Sequence, residues 1–158
     1  MFDILLIATV TSNLDAFLRL LFAVICGSVL GWNREKHDKP AGLRTNMLVS
    51  LGAATIMVIG MSFTAELGEN DPGWLRIDVF RLVAGIIGGV GFLGAGSIIR
   101  AHGGVHGLTT AATIWVSAAT GTACGIGYYG IACMAVLLAW GTLVIMGYVE
   151  RTLFGEED

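Results

Sequence analysis

Two short stretches of this sequence carry the residue types that do chemistry. The first is Gly31-Trp32-Asn33-Arg34-Glu35-Lys36-His37-Asp38-Lys39-Pro40-Ala41-Gly42-Leu43-Arg44-Thr45, which sets seven ionisable side chains between two long apolar runs. The second, residues 96–110, carries Arg100, His102 and His106 and again ends in Gly-Leu-x-Thr. Pro40 and Gly42 break the chain before Leu43. Thr45 or Asn46 then stands where a side chain can cap a new helix by accepting its free N–H groups. Gly107-Leu108-Thr109-Thr110 opens a further helix in the same way. Each helix start is the positive end of a dipole. With Arg34, Arg44 and Arg100 nearby, the two starts form a candidate site for an anion or a lipid headgroup. Its full set is Arg34, Glu35, Arg44, Thr45, Asn46, Arg100, His106, Thr109 and Thr110. A plainer explanation is topological: basic loops stay inside, and caps start helices. Glu35 and Asp38 also dilute the basic charge.

Other chemistry finds less support. Mg²⁺ takes oxygen ligands, usually one or two carboxylates plus water. No pair of acids lies deep in an apolar run, and Glu66, Glu69, Asp71 and Asp78 would attract cations only weakly. His37, His102 and His106 share one side as a candidate pH- or metal-sensitive cluster. No metal assignment follows. No nucleophile–base constellation occurs, so neither enzymatic activity nor a cofactor is expected. Gly89-Val90-Gly91-Phe92-Leu93-Gly94 matches G-x-G-x-x-G but lacks the βαβ frame that a dinucleotide site needs. Cys26, Cys124 and Cys133 lie in apolar runs without metal-like spacing and read as small buried hydrophobes. No basic stripe invites nucleic acid.

The elements that position these residues are membrane spans. The chain has 158 residues, 55% hydrophobic and 13% charged, against about 25% charged in soluble domains. Five runs approach the roughly 20 residues that cross a bilayer. They cover 14–32, 43–63, 79–99, 108–126 and 128–149. The runs are continuous rather than alternating, which favours helices over a barrel. The fold class expected is therefore an all-α membrane protein, one domain over 1–158, with five transmembrane helices. Residues 1–10 read as an interfacial lead-in without the basic start of a signal peptide.

Basic residues set the orientation. Arg34, Lys36, Lys39 and Arg44 bound the first connector, Arg100 lies in the third, and Arg151 follows the last span. The second connector holds Arg76 against four acids. The N-terminus is thus expected outside and the C-terminus in the cytoplasm.

Shifted by 65, Gly31, His37, Gly42, Leu43, Thr45, Ala53, Ala54 and Thr55 fall on Gly96, His102, Gly107, Leu108, Thr110, Ala118, Ala119 and Thr120. This predicts two helical hairpins in parallel repeat, plus a fifth helix. Glycine, 23 residues in all, lets membrane helices approach closely. Gly27 and Gly31 form one packing pair in span one, and Gly85, Gly89, Gly91, Gly94 and Gly96 crowd span three. Span three is thus expected at the centre, bent or broken near Gly94-Ala95-Gly96. Asp15 and Arg19 pair locally by spacing, as do Asp78 and Arg81. Arg19 facing the interior, or cross-pairs of Asp15 with Arg81 or Arg19 with Asp78, are the alternatives.

Residues 33–45, ending in Pro-Ala-Gly-Leu-Arg-Thr, resemble the signature loop of the MgtC/SapB family. Gly91-Phe92-Leu93-Gly94-Ala95-Gly96 and Gly107-Leu108-Thr109-Thr110-Ala111-Ala112-Thr113-Ile114-Trp115 resemble its other two blocks. The likeness covers about 20–128. It implies a bacterial inner-membrane protein, linked in some members to growth in low magnesium and survival in macrophages. Some members are associated with control of other membrane machines, including ATP synthase. Mg²⁺ transport by the family itself is not an established activity. Virulence-associated members carry a cytoplasmic C-terminal domain, and only nine residues, 150–158, follow the last span here. The leading expectation is a non-enzymatic protein that modulates other membrane proteins, embedded in the bilayer as a homo-oligomer, most simply a dimer. A small transporter or channel between the hairpins is the second reading, and a sensor of a cytoplasmic anion or nucleotide the third.

Overall fold

The computed structural model describes residues 12–69, 78–101 and 104–154, except the side chains of 65–69, 101, 151 and 154. The lead-in at 1–10, Asp71, Arg76 and His102 lie outside the described residues, as do the side chains of Glu66, Glu69 and Arg151. The elements are α1 (Asn13–Lys36), α2 (Leu43–Glu69), α3 (Val79–Ser97), β1 (Ile99–Ala101), β2 (Gly104–His106), α4 (Leu108–Ile126) and α5 (Tyr129–Phe154). Local signals account for their ends. Ser12 caps α1, its Oγ accepting the Asp15 N–H at 3.2 Å. Asp78 caps α3 through the Phe80 N–H at 2.9 Å. Gly127, at φ +96°, closes α4 in a Schellman motif. Its N–H bonds the Cys124 carbonyl, and the Tyr128 N–H bonds that of Ala123.

The third span differs from expectation at its end. It does not break at Gly94–Gly96 but continues as helix to Ser97. The chain then forms a small antiparallel hairpin, with Ile99 opposite His106 and Arg100 opposite Val105. The β-branched pair Ile98-Ile99 favours extended backbone there.

Four of the helices, α1, α2, α3 and α5, are long and apolar enough to cross a membrane. Helix α4 falls short of that mark, and it occupies the centre. It touches α1, α2, α3 and α5, and ten of its residues are buried. This corrects the central place expected for span three. Of the α3 glycines only Gly94 is buried, against Ala111. Gly85, Gly88, Gly89, Gly91 and Gly96 face open space. Between membrane helices, small and hydroxylated residues make the close interface, and α4 supplies them.

Contacts fix the directions. Helix α1 runs against α2: a Cβ on Gly27 would come within 2.6 Å of the Asn46 carbonyl oxygen, and one on Gly31 within 2.6 Å of Leu43 Cα. Helices α2 and α4 run side by side in the same direction. Asn46 meets Ser117, Ser50 meets Gly121, and Ala54 meets Gly125. Each pair is 71 residues apart, so the two helices stay in step turn by turn. Two apolar clusters flank this seam. One joins α1, α4 and α5, with Ala54 of α2, around Leu30, Cys124 and Val136. The other joins α2, α3 and α4 around Met57, Ile86 and Ile114. Phe22 meets Tyr129 edge-on, 5.1 Å between ring centres, and ties α1 to α5. Cys26 and Cys124 are buried as expected, but Cys133 is exposed on the outer side of α5.

Candidate functional site

The charged loop after α1 is folded back onto the bundle by three side chains. Arg34, 5% exposed, turns inward from the last turn of α1. Its Nε and Nη2 both donate to the Pro40 carbonyl, at 3.0 and 2.9 Å. Nη2 also donates to the Thr110 hydroxyl in the first turn of α4. The flat guanidinium fork suits this two-pronged grip on one oxygen. The loop between is tight, with Asp38 and Ala41 in left-handed conformation at φ 50° and 54°.

Glu35, next in sequence, points the other way. Its Oε2 accepts the Leu43 N–H at 2.9 Å and so caps α2. The expectation that Thr45 or Asn46 would do this is corrected. Thr45 is exposed, and Asn46 is spent elsewhere. The Asn46 amide donates to the Ala41 and Gly42 carbonyls at 2.6 and 2.8 Å. Its Oδ1 accepts the Ser117 hydroxyl at 2.7 Å. A carboxylate at the positive end of α2 is also the better match to the helix dipole. Glu35 therefore serves the loop rather than diluting it. Helix α4 starts differently from α2, at Gly107 in left-handed conformation, φ +89°, without a side-chain cap.

Of the nine residues of the candidate anion site, Arg34, Glu35, Asn46 and Thr110 form this lock. Arg44, Thr45, Arg100, His106 and Thr109 are exposed around it. His37 is engaged locally, its Nδ1 2.7 Å from the Asn33 carbonyl. Among the described residues no three His, Cys, Asp or Glu are grouped to hold a metal ion. Arg34 has no carboxylate partner there either; its charge is met by neutral oxygens.

The opposite end of the bundle is held by Arg19. Its Nε pairs with Asp15 Oδ2 at 2.7 Å. Its Nη1 donates to the Gly125 carbonyl at 3.0 Å. The local pair and the inward reach are thus both present. The cross-pairs are not formed, because Asp15 and Arg19 are spent on each other. The local Asp78–Arg81 pair expected from spacing is not formed either, because Asp78 is used as the α3 cap.

Sequence reasoning missed Ser50, Ser117, Gly121 and Gly125. Ser50 Oγ donates to the Ala23 carbonyl at 2.8 Å and joins α2 to α1. The signal was available: Ser117, Gly121 and Gly125 recur every fourth residue along α4. Among the described residues one buried side-chain oxygen lacks a hydrogen-bond partner, Thr120 Oγ1.

The loop and its lock fall inside a segment, residues 20–152, that matches the model of the MgtC family. This chain belongs to the MgtC family. It is 40% identical over 121 residues to Protein MgtC of Salmonella typhimurium LT2, covering 77% of this chain and 48% of that protein. It is 34% identical over 140 residues to a putative magnesium transporter, YhiD, of Escherichia coli K12, covering 89% and 63%. An uncharacterized protein of Haemophilus influenzae is 34% identical over 143 residues, covering 88% and 58%. The chain spans about half the length of the MgtC relatives it matches. No solved structure matches it. Family membership and the apolar helices make it a membrane protein. Within the MgtC frame, the Pro-Ala-Gly-Leu-Arg-Thr loop is the segment that Arg34, Glu35 and Asn46 hold in place.

Proposed function

We propose that this MgtC-family chain is a multi-pass protein of the bacterial inner membrane that acts without catalysis. It would modulate other membrane proteins through its outward helix faces, in adaptation to low magnesium or to stress inside host cells. The basic residues Arg34, Lys36, Lys39, Arg44 and Arg100 lie at one end of the bundle, in the last turn of α1, the loop after it, the first turn of α2 and β1. This supports a cytoplasmic placing of that end and an external N-terminus.

One observation carries the reading. The seam between the hairpins is closed, while the outer side of α3 is bare. A Cβ on Gly121 would overlap the Ser50 carbonyl oxygen, and one on Gly125 would lie 2.7 Å from that of Ala54. No room is left at that seam for an ion. By contrast Ala84, Gly88, Gly91 and Ala95 form an exposed stripe of small residues along α3. Such a stripe suits close docking of a second copy, as a dimer with twofold symmetry, or of another membrane helix.

The name of the Escherichia coli relative, a putative magnesium transporter, favours a second reading, ion transport. One pair of measurements separates them. Purified chain in liposomes is expected to give no Mg²⁺ or phosphate flux above protein-free vesicles. Crosslinking and affinity purification from membranes grown in low and high Mg²⁺ is expected to recover a membrane partner. Flux abolished by Gly94→Leu would establish transport instead.

A further inference from the structure

We infer that the groove between α2 and α3 seats one acyl chain of an anionic phospholipid, with its phosphate on Arg81. The open groove has a volume of about 630 Å³ and is lined by apolar side chains, with Arg81 as the one ionisable lining residue among the described residues. Its hollow comes from glycine. Gly52, Gly85 and Gly89 line it, and a Cβ on any of them would meet nothing within 4 Å. Ile86 and Val90, both buried, form part of its floor.

Dimensions choose the occupant. Along α3 the groove runs from Arg81 to Leu93, twelve residues at 1.5 Å each, or about 18 Å. That is close to one leaflet's share, about 15 Å, of the hydrocarbon core. Spread over that length, the 630 Å³ volume gives a cross-section of roughly 35 Å². A methylene chain, whose carbons stay about 4 Å from their neighbours, fits with room to spare.

Charge chooses the headgroup. An acyl chain gains no hydrophobic energy by moving from bilayer to groove, since lipid tails are as apolar as leucine. Contact in an otherwise ill-filled hollow and the charge at its mouth must make the difference. Arg81 stands in the first turn of α3, exposed, with no ion pair among the described residues. The nearby Asp78 carboxylate is turned to the Phe80 N–H. A guanidinium at headgroup depth binds a phosphate through paired hydrogen bonds.

The test is native mass spectrometry of the full chain released from micelles with equal phosphatidylglycerol and phosphatidylcholine. Wild type is expected to retain one phosphatidylglycerol in preference. Arg81→Gln is expected to cut that preference about tenfold, and Arg81→Lys to restore part of it. Gly85→Leu, which fills the groove, is expected to lose both lipids while keeping wild-type helicity by circular dichroism. Gly52→Leu reads the same groove from its other wall if Gly85→Leu does not fold. Retention unchanged in Arg81→Gln and in a folded groove-filling variant would overturn the inference. So would a variant that alters the oligomeric state without altering lipid retention, which would give the groove to a helix.

Discussion

Arg34 on α1 and Thr110 on α4 share a buried hydrogen bond at the end of the bundle that carries the charged loop. At the other end the same pair of helices is joined again, by Arg19 and the Gly125 carbonyl. The interval is fifteen residues on both helices (34 − 19 and 125 − 110). Helix α1 therefore lies antiparallel along α4 and grips it at both ends with an arginine. The two grips differ in kind. Arg19 shares its charge with Asp15 and sits at the negative end of the α4 dipole, where a cation is favoured. Arg34 faces the positive end of α4 from the last turn of α1, so the two helix dipoles oppose each other there, and it is held by the geometry of its hydrogen bonds.

That difference predicts how Arg34 responds to substitution. Arg34→Gln keeps polarity but loses the fork on Pro40, and is expected to cost about 1–3 kcal/mol. Arg34→Lys keeps the charge and should recover less than half of that loss, because an ammonium cannot hold the Pro40 and Thr110 oxygens in one plane. Thermal unfolding of the detergent-solubilised chain reads both. Equal stability of the Lys variant and wild type would show that charge, not shape, is the requirement.

At the other end, Arg19→Leu removes a cap and an ion pair together. The ion pair is part-exposed and should contribute only about 0.5 kcal/mol. The bond to Gly125 anchors α1 to α4, and its loss is expected to dominate at about 1–2 kcal/mol. Asp15→Asn, which removes the pair but spares the cap, should therefore lie much closer to wild type. If both variants fall equally in unfolding midpoint, the ion pair carries the contact.

Much of this could be read from the sequence, and the remainder fails for one reason. The runs starting at 43, 79 and 108 match the first residues of α2, α3 and α4, because Pro40-Ala41-Gly42, Asp78 and Gly107 are local punctuation. The Asp15–Arg19 pair was legible from its four-residue spacing. Which helix is central was not. Glycine abundance in α3 points to packing, yet a glycine shows only that a neighbour can approach. The neighbour is set by the match of Asn46, Ser50 and Ala54 to Ser117, Gly121 and Gly125, a relation between distant segments. The α2 cap escaped for the same reason: Glu35 reaches Leu43 only after the loop has turned back.

The Asn46–Ser117 bond is the polar fastener of the α2–α4 seam. Hydrogen bonds between membrane helices average about 0.6 kcal/mol and reach about 1.7. A double-mutant cycle of Asn46→Ala and Ser117→Ala is expected near the upper figure, since both residues are fully buried. Asn46→Ala alone should cost more than the coupling, because it also takes the amide donor from the Ala41 carbonyl, while that of Gly42 keeps the Asn46 backbone N–H. A coupling near zero in denaturant unfolding would mean that the seam is held by shape alone.

The strongest contrast is between two glycines that the sequence does not distinguish. Gly121→Ala would drive a methyl into the Ser50 carbonyl, which is backbone and cannot rotate away. Helices α2 and α4 would have to separate, and the register shared by Asn46–Ser117 and Ala54–Gly125 would go with them. Overpacking of this kind costs about 1–3 kcal/mol. Gly88→Ala, on the bare face of α3, meets nothing within 4 Å. There alanine should be neutral or stabilise by up to about 1 kcal/mol through helix propensity. The same variant also reads the outward face. If Gly88→Ala keeps its unfolding midpoint as a monomer yet loses a crosslinked dimer or a co-purified partner, the open stripe on α3 is an interface. If Gly121→Ala and Gly88→Ala destabilise alike, the central place of α4 is wrong.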